Sequence, residues 1–155
     1  MEYSSKKRSQ VIKIKDVKLK IVTKSDHSFL YELLKQRDSI VNISHKKMPS
    51  YKDHVKFILS KPYSKWYVIQ YDDQRVGSIY LSKQNEIGIF LINEMSGKSV
   101  GSKALKLLME KNSKLRYLAN INPKNKDSVK FFKKMGFNMI QHTYELVNTE
   151  YDKKN

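Results

Sequence analysis

The chain has 155 residues, enough to bury one sizeable core but not two. It has no cysteine, which excludes disulfides, thiolate nucleophiles and cysteine-ligated zinc, and apolar runs such as Ile87 to Ile92 are too short to cross a bilayer. Lys and Arg number 31 against 15 Asp and Glu; the formal net charge of +16 attracts anions, whether nucleic acid, an anionic membrane surface or phosphorylated small molecules.

Residues 1–15 are charged throughout and lack the apolar core of a signal peptide. They are expected to form a basic flexible arm ahead of one domain over 16–147, with a polar tail at 148–155, in a cytoplasmic protein. Lys18 to Thr23 alternates, with Leu19 and Ile21 inward, and predicts a strand. Thr23 to Asp26 offers caps for a helix that carries Phe29, Leu30, Leu33 and Leu34 and runs to about Arg37. Asp38 to Pro49 is polar and contains His45. Pro49-Ser50 opens a second helix, with Val55, Phe57, Ile58 and Leu59 on its apolar side, and Lys61-Pro62-Tyr63-Ser64 stops it. Trp66 to Tyr71, Val76 to Leu81 and Glu86 to Ile92 read as three strands joined by tight turns, hence an antiparallel meander. A helix follows with Val100, Ala104, Leu105, Leu107 and Leu108 on one face. Arg116 to Asn122 predicts a strand, Ser128 to Met135 a helix, and Phe137 to Leu146 a last strand. The class is α/β (α+β), with the strand–helix–strand crossover adding a parallel pair to the meander.

Two segments carry chemistry. Ser96-Gly97-Lys98-Ser99-Val100-Gly101-Ser102 joins a strand to a helix. The first N–H groups of a helix have no intrahelical acceptor, the helix dipole adds partial positive charge, and the two glycines let an anion approach the backbone. A glycine pair that merely packs is the other reading of this loop. The Gly97-Lys98-Ser99 triplet is not a nucleotide-triphosphatase loop, because Ile92 stands where that motif needs a glycine. The second segment is Asn125-Lys-Asp-Ser128-Val-Lys-Phe-Phe132-Lys-Lys-Met-Gly136-Phe137, in which Asn125 and Ser128 stand at a helix start and Gly136 at its end.

Together the two segments resemble the GNAT acetyltransferases, whose cofactor motif is Gln/Arg-x-x-Gly-x-Gly/Ala at a helix start, followed by Asn-x-x-Ser/Ala-x-x-x-Tyr-x-x-x-Gly-Phe. Ser96, Ser99 and Gly101 take the places of the first motif; Asn125, Ser128, Gly136 and Phe137 match the second. The resemblance implies a mixed sheet of six to seven strands with a central antiparallel meander and four helices on both faces. It implies acetyl-CoA as co-substrate and no metal. Ile89, Phe90 and Leu91 would hold the pantetheine and the thioester carbonyl. Gly97, Lys98, Ser99, Val100, Gly101 and Ser102 would hold the pyrophosphate, and Asn125, Ser128 and Phe132 would line the pantetheine arm. Two departures stand out: Ser99 replaces a glycine, and Phe132 stands where many members carry a tyrosine that protonates the departing thiolate.

The amine acceptor needs a group that removes a proton. The candidates are His45, Glu86, Tyr80 and His54, with Asn120 as a hydrogen-bonding group in the cleft. Asn42-Ile43-Ser44-His45 and Ser50 to Ile58, with Asp53, His54 and Phe57, resemble the branch that acetylates amino sugars on nucleotide carriers. That points to an anionic acceptor such as a UDP- or dTDP-linked amino sugar, with no membrane or nucleic-acid partner, acted on by a monomer or homodimer. A protein N-terminal or lysine acetyltransferase and a non-catalytic basic binding module are the alternatives.

Overall fold

A computed structural model describes residues 16–37, 47–95 and 97–151. The elements follow in the order β1 (Val17–Ile21), α1 (His27–Lys35), α2 (Tyr51–Leu59), β2 (Lys65–Tyr71), β3 (Gln74–Leu81), β4 (Ile87–Leu91), α3 (Val100–Lys111) and α4 (Lys126–Lys134). The four strands form an antiparallel sheet in sequence order. The β2–β3 turn is made by Asp72 and Asp73, both at positive φ (51° and 59°), the backbone a two-residue hairpin prefers because it matches the strand twist.

Alternation along β2 sorts the core into two layers. Tyr67 and Ile69 face one side with Leu19, Ile79 and Ile89, and α3 covers them with Ala104, Leu105 and Leu108. Phe132 of α4 joins that layer. Trp66 and Val68 face the other side, where Leu30 of α1 and Ile58 of α2 close over them. Register puts Ser78 and Tyr80 of β3, and Gly88 and Phe90 of β4, on this second face. Asp26 fastens α1 to the sheet: it accepts from the Thr23 N–H at 2.8 Å and from Arg75 Nε at 2.8 Å.

Among the described residues the four helices are present, but only four of the expected six to seven strands are. Arg116 to Asn122 contributes only one parallel bridge, Leu118 to Glu86, and Phe137 to Leu146 forms no strand. Alternation in sequence records which face of a segment is apolar; a strand also needs a neighbour to pair with. The 116–122 segment leaves β4 after its single bridge, and 138–147 is exposed on both faces, with Tyr144 at 91% and Leu146 at 89%.

Candidate functional site

The parting of β4 from the 116–122 segment makes the site. Ile87 N–H donates to the Leu118 carbonyl at 2.7 Å, and Leu118 N–H donates to the Asn85 carbonyl at 2.9 Å. On the other side of β4, the Glu86 carbonyl accepts from Ser82 N–H and the Ile92 N–H donates to Val76. Peptide groups alternate along a strand, so even positions serve β3 and odd positions face outward. The peptide groups of Ile89 and Leu91 therefore face the open edge. A cavity of about 790 Å³ occupies the gap, walled by Ile87 to Phe90 on one side and by Asn120, Ile121, Asn122, Asn125, Ser128 and Phe132 on the other.

The cavity continues over the second face of the sheet, beneath α1 and α2. Here the wall is side chains: Leu30, Leu33 and Arg37 from α1 and its end, His54 and Phe57 from α2, then Tyr63, Trp66 and Tyr80. Ser50 caps α2, its hydroxyl accepting from Asp53 N–H at 3.1 Å, and so fixes the turn that carries His54. Phe57, Tyr63 and Trp66 meet edge to face, and Tyr63 stacks on Tyr80 with centroids 3.8 Å apart. The Arg37 guanidinium lies 3.7 Å from the centroid of the Phe90 ring. Among the described residues, the charged groups of this wall are Lys35, Arg37 and Lys47 against the carboxylate of Asp53. Arg37 Nε, His54 Nε2 and Trp66 Nε1 are buried without a hydrogen-bond partner among the described residues, and all three residues line this cavity. Burial pushes the Arg37 and His54 pKa values down, for His54 with a contribution from His27. It pushes the phenols of Tyr63 and Tyr80 up, so both stay protonated at neutral pH.

The sequence-predicted residues fall into three groups. Ile89, Phe90, Asn120, Asn125, Ser128, Phe132, Tyr80 and His54 line the cavity together. Asn125 also caps α4, accepting from Ser128 N–H at 3.2 Å, which leaves its amide NH₂ to donate to a ligand. The loop over Gly97, Lys98, Ser99, Val100, Gly101 and Ser102 lies outside the cavity lining, at the N-terminus of α3, and so does Leu91, whose Cδ1 lies 3.5 Å from where a Cβ on Gly101 would stand. Glu86 does not line the cavity; its carboxylate accepts from Ser82 Oγ at 3.4 Å in the β3–β4 turn. His45 and Ser96 lie outside the described residues.

The worn loop has a local explanation. Ser99 is the N-cap of α3 and sits at φ 59°, ψ 10°, the left-handed conformation that a glycine adopts without strain. Gly97 is also left-handed, at φ 75°. A Cβ at position 101 would touch Phe131 and Leu91 at ordinary contact distances, so glycine and alanine both fit there. The Lys98 N–H bonds the Met95 carbonyl at 3.4 Å, while the Val100, Gly101 and Ser102 N–H groups belong to the unpaired first turn. Sequence reasoning missed Arg37, Tyr63 and Trp66. The density of aromatics between Tyr51 and Trp66 was the signal available; it reads equally well as core.

An open strand edge, a helix N-terminus beyond it and a capped helix across the gap form a frame for a long phosphorylated thioester. The model of the Acetyltransferase (GNAT) family matches residues 28–137, and the chain belongs to that family. Its activity is therefore acetyl transfer from acetyl-CoA to an amine. No protein of curated function matches the sequence. Among solved structures, the fold is similar to a domain from Methanocaldococcus jannaschii DSM 2661, at 21% identity and a TM-score of 0.71 over 84% of this chain and 94% of that one. It is also similar to an N-acetyltransferase from Staphylococcus aureus Mu50, at 19% identity and a TM-score of 0.62 over 79% and 83%. A third similar structure is a mutant of the spermidine N-acetyltransferase SpeG from Vibrio cholerae, at 14% identity and a TM-score of 0.64 over 81% of each chain. Among the described residues no helix is long and apolar enough to cross a membrane, and no cluster of side chains suits a metal ion.

Proposed function

We propose that the protein transfers acetyl from acetyl-CoA to the primary amine of an anionic acceptor, an amino sugar carried on UDP or dTDP. The observation that carries this reading is that Arg37, Trp66 and His54 line the side-chain half of the cavity, each with a buried ring or guanidinium nitrogen (Nε, Nε1 and Nε2) that has no partner among the described residues. Burying a polar group without a partner costs roughly 1–3 kcal/mol, so each of the three favours a ligand that supplies one. Two of them are donors, one of these cationic, and the surrounding charge is positive. Such a wall takes phosphate oxygens and stacks rings; it repels a polycation of the kind named for the Vibrio cholerae enzyme.

The cofactor would lie along the open edge. The free N–H groups of Val100, Gly101 and Ser102, with the Lys98 charge beside them, would take the pyrophosphate. The outward peptide groups of Ile89 and Leu91 would pair with the pantetheine and bind the thioester carbonyl, and the Asn125 amide would donate to the arm from across the gap. When bound, acetyl-CoA supplies the activated acyl group. The protein's residues fix the acceptor and move protons. His54, whose depressed pKa leaves it neutral near pH 7 and which lines the cavity, would take a proton from the incoming ammonium. Asn120 offers a hydrogen-bonding group on the opposite wall, and His45 remains a candidate from the loop before α2. Glu86 would act at a distance, as a charge near Tyr80.

The test is free-thiol release from acetyl-CoA with a panel of UDP- and dTDP-amino sugars, peptides with free N-termini or lysines, and spermidine. Turnover is expected with a sugar nucleotide. Turnover with a peptide or spermidine and none with any sugar nucleotide overturns the acceptor assignment and leaves the family assignment intact.

A further inference from the structure

Acetyl transfer breaks the C–S bond of the thioester and leaves the electron pair on sulfur. A proton delivered as that bond breaks makes the sulfur a better leaving group. Phe132, at the place where the resemblance expects a tyrosine, has no proton to give. Among the described residues, the hydroxyls on the cavity wall are those of Tyr63, Ser78, Tyr80 and Ser128. The two serines are alcohols, far weaker acids than a phenol.

We infer that Tyr80 of β3 donates its phenolic proton to the departing CoA sulfur, replacing the hydroxyl that position 132 lacks. The inference rests on the acetyl-transfer reading above. Tyr80 pairs with Gly88 across the β3–β4 ladder. The far end of its ring, Cζ, Cε1 and the hydroxyl, lies directly over Gly88, in the space that any Cβ at that position would occupy. Glycine at 88 is thus what lets the phenol lie flat across β4. The next residue is Ile89, whose outward peptide group is the proposed seat of the thioester carbonyl. The Tyr80 hydroxyl therefore rests on the cleft floor one residue from the reacting bond.

Its neighbours orient it. Tyr63 stacks on it, with centroids 3.8 Å and ring planes 3° apart, and so holds the Tyr80 ring in place. Burial keeps Tyr80 protonated, while the Arg37 charge favours the phenolate that transfer creates. Tyr63 is a positioning residue in this scheme. The step balances without an added reagent. The amine nitrogen bonds to the acetyl carbon, the C–S bond breaks, sulfur takes the Tyr80 proton, and the phenolate takes the proton that the nitrogen sheds. The products are the amide and free CoA.

CoA alone tests the inference, with no acceptor needed. A donor aimed at sulfur stabilises bound thiolate, so ultraviolet thiolate absorbance of CoA on the wild type is expected to show roughly tenfold more thiolate at neutral pH than on Tyr80→Phe. Gly88→Ala keeps the phenol but displaces it, and is expected to match Tyr80→Phe. Tyr63→Ala, which removes the stacked ring, is expected to fall between them. Melting temperatures with and without CoA confirm that each variant is folded and loaded. Equal thiolate fractions in the wild type and Tyr80→Phe, both loaded, overturn the role of Tyr80 and leave acetyl transfer standing. A wild type that CoA does not stabilise at all overturns both.

Discussion

The two halves of the cleft are built from different materials. The half proposed for the cofactor is mainly backbone: the outward peptide groups of β4, the first turn of α3 and the capped start of α4. The half proposed for the acceptor is side chains from α1, α2 and the strands they cover, with Arg37, His54, Tyr63, Trp66 and Tyr80 in the wall. A backbone site survives changes of side chain, because N–H and C=O groups are the same whatever residue carries them. On the proposed reading, this half would hold its cofactor with Ser99 in place of glycine. A side-chain site changes its ligand when one residue changes, and selectivity belongs there.

Single substitutions can break this division. The largest effect is expected on the acceptor side. Arg37→Gln removes a charge-assisted contact worth about 1.5–3 kcal/mol, so the acceptor KM should rise by ~10–100-fold, while the melting-temperature shift with acetyl-CoA stays the same. An equal loss on both sides would show that Arg37 serves the cofactor instead. On the cofactor side, Asn125→Ala removes the α4 cap and should cost roughly 1 kcal/mol of stability, with weaker acetyl-CoA binding and an unchanged acceptor KM. Ser99→Gly relieves a left-handed serine and should raise stability by up to about 1 kcal/mol in denaturant titrations. It leaves the N–H in place, so acetyl-CoA affinity should hold or improve. The smallest change is expected from Ser102→Ala, whose hydroxyl bonds only the Ser99 carbonyl at 3.0 Å; cofactor affinity should move less than about threefold, since a surface change of this kind is worth within ~0.5 kcal/mol.

Acid probes the scaffold beneath both halves. The His54 pKa is depressed by burial and by His27, so the unfolded chain binds more protons there than the folded one. Its contribution is complete above the unfolded value near 6.5 and is lost as pH falls through the lower folded value. Asp26 is pushed up by burial, but the Thr23 N–H, the Arg75 guanidinium and the Thr23 hydroxyl together hold it below the ordinary carboxyl value. Its contribution is present above about 3.9 and drains at still lower pH. Denaturant titrations should therefore show stability falling in two stages on acidification. His54→Gln should flatten the first stage and Asp26→Asn the second; a single stage common to both variants would tie the loss to other groups.

Part of the cleft was legible in the sequence. The glycine loop stands at the start of α3, Asn125 caps α4, and Ile89 and Asn125, named through the family resemblance, both line the cavity. What misled was the count of strands: Arg116 to Asn122 alternates, yet after one bridge it departs from β4, and that departure is the cleft itself. The acceptor half was scarcely legible. Tyr63 sits in a helix-stop segment and Trp66 at a strand start, and nothing local separates a cavity-lining aromatic from a core one.

The sequence by itself determined the four helices and the strands β1 to β4, because caps, turns and apolar spacing act between residues a few positions apart. It also determined that residue 132 has no proton to give. Only the tertiary structure decided what faces the cleft. Tyr80 reaches the β4 edge because Gly88, paired to it across the ladder, has no Cβ to stop it, and Arg37 lies over Phe90 although 53 positions separate them in the chain. Such contacts depend on strand register and helix placement, which fix distances that sequence spacing does not contain.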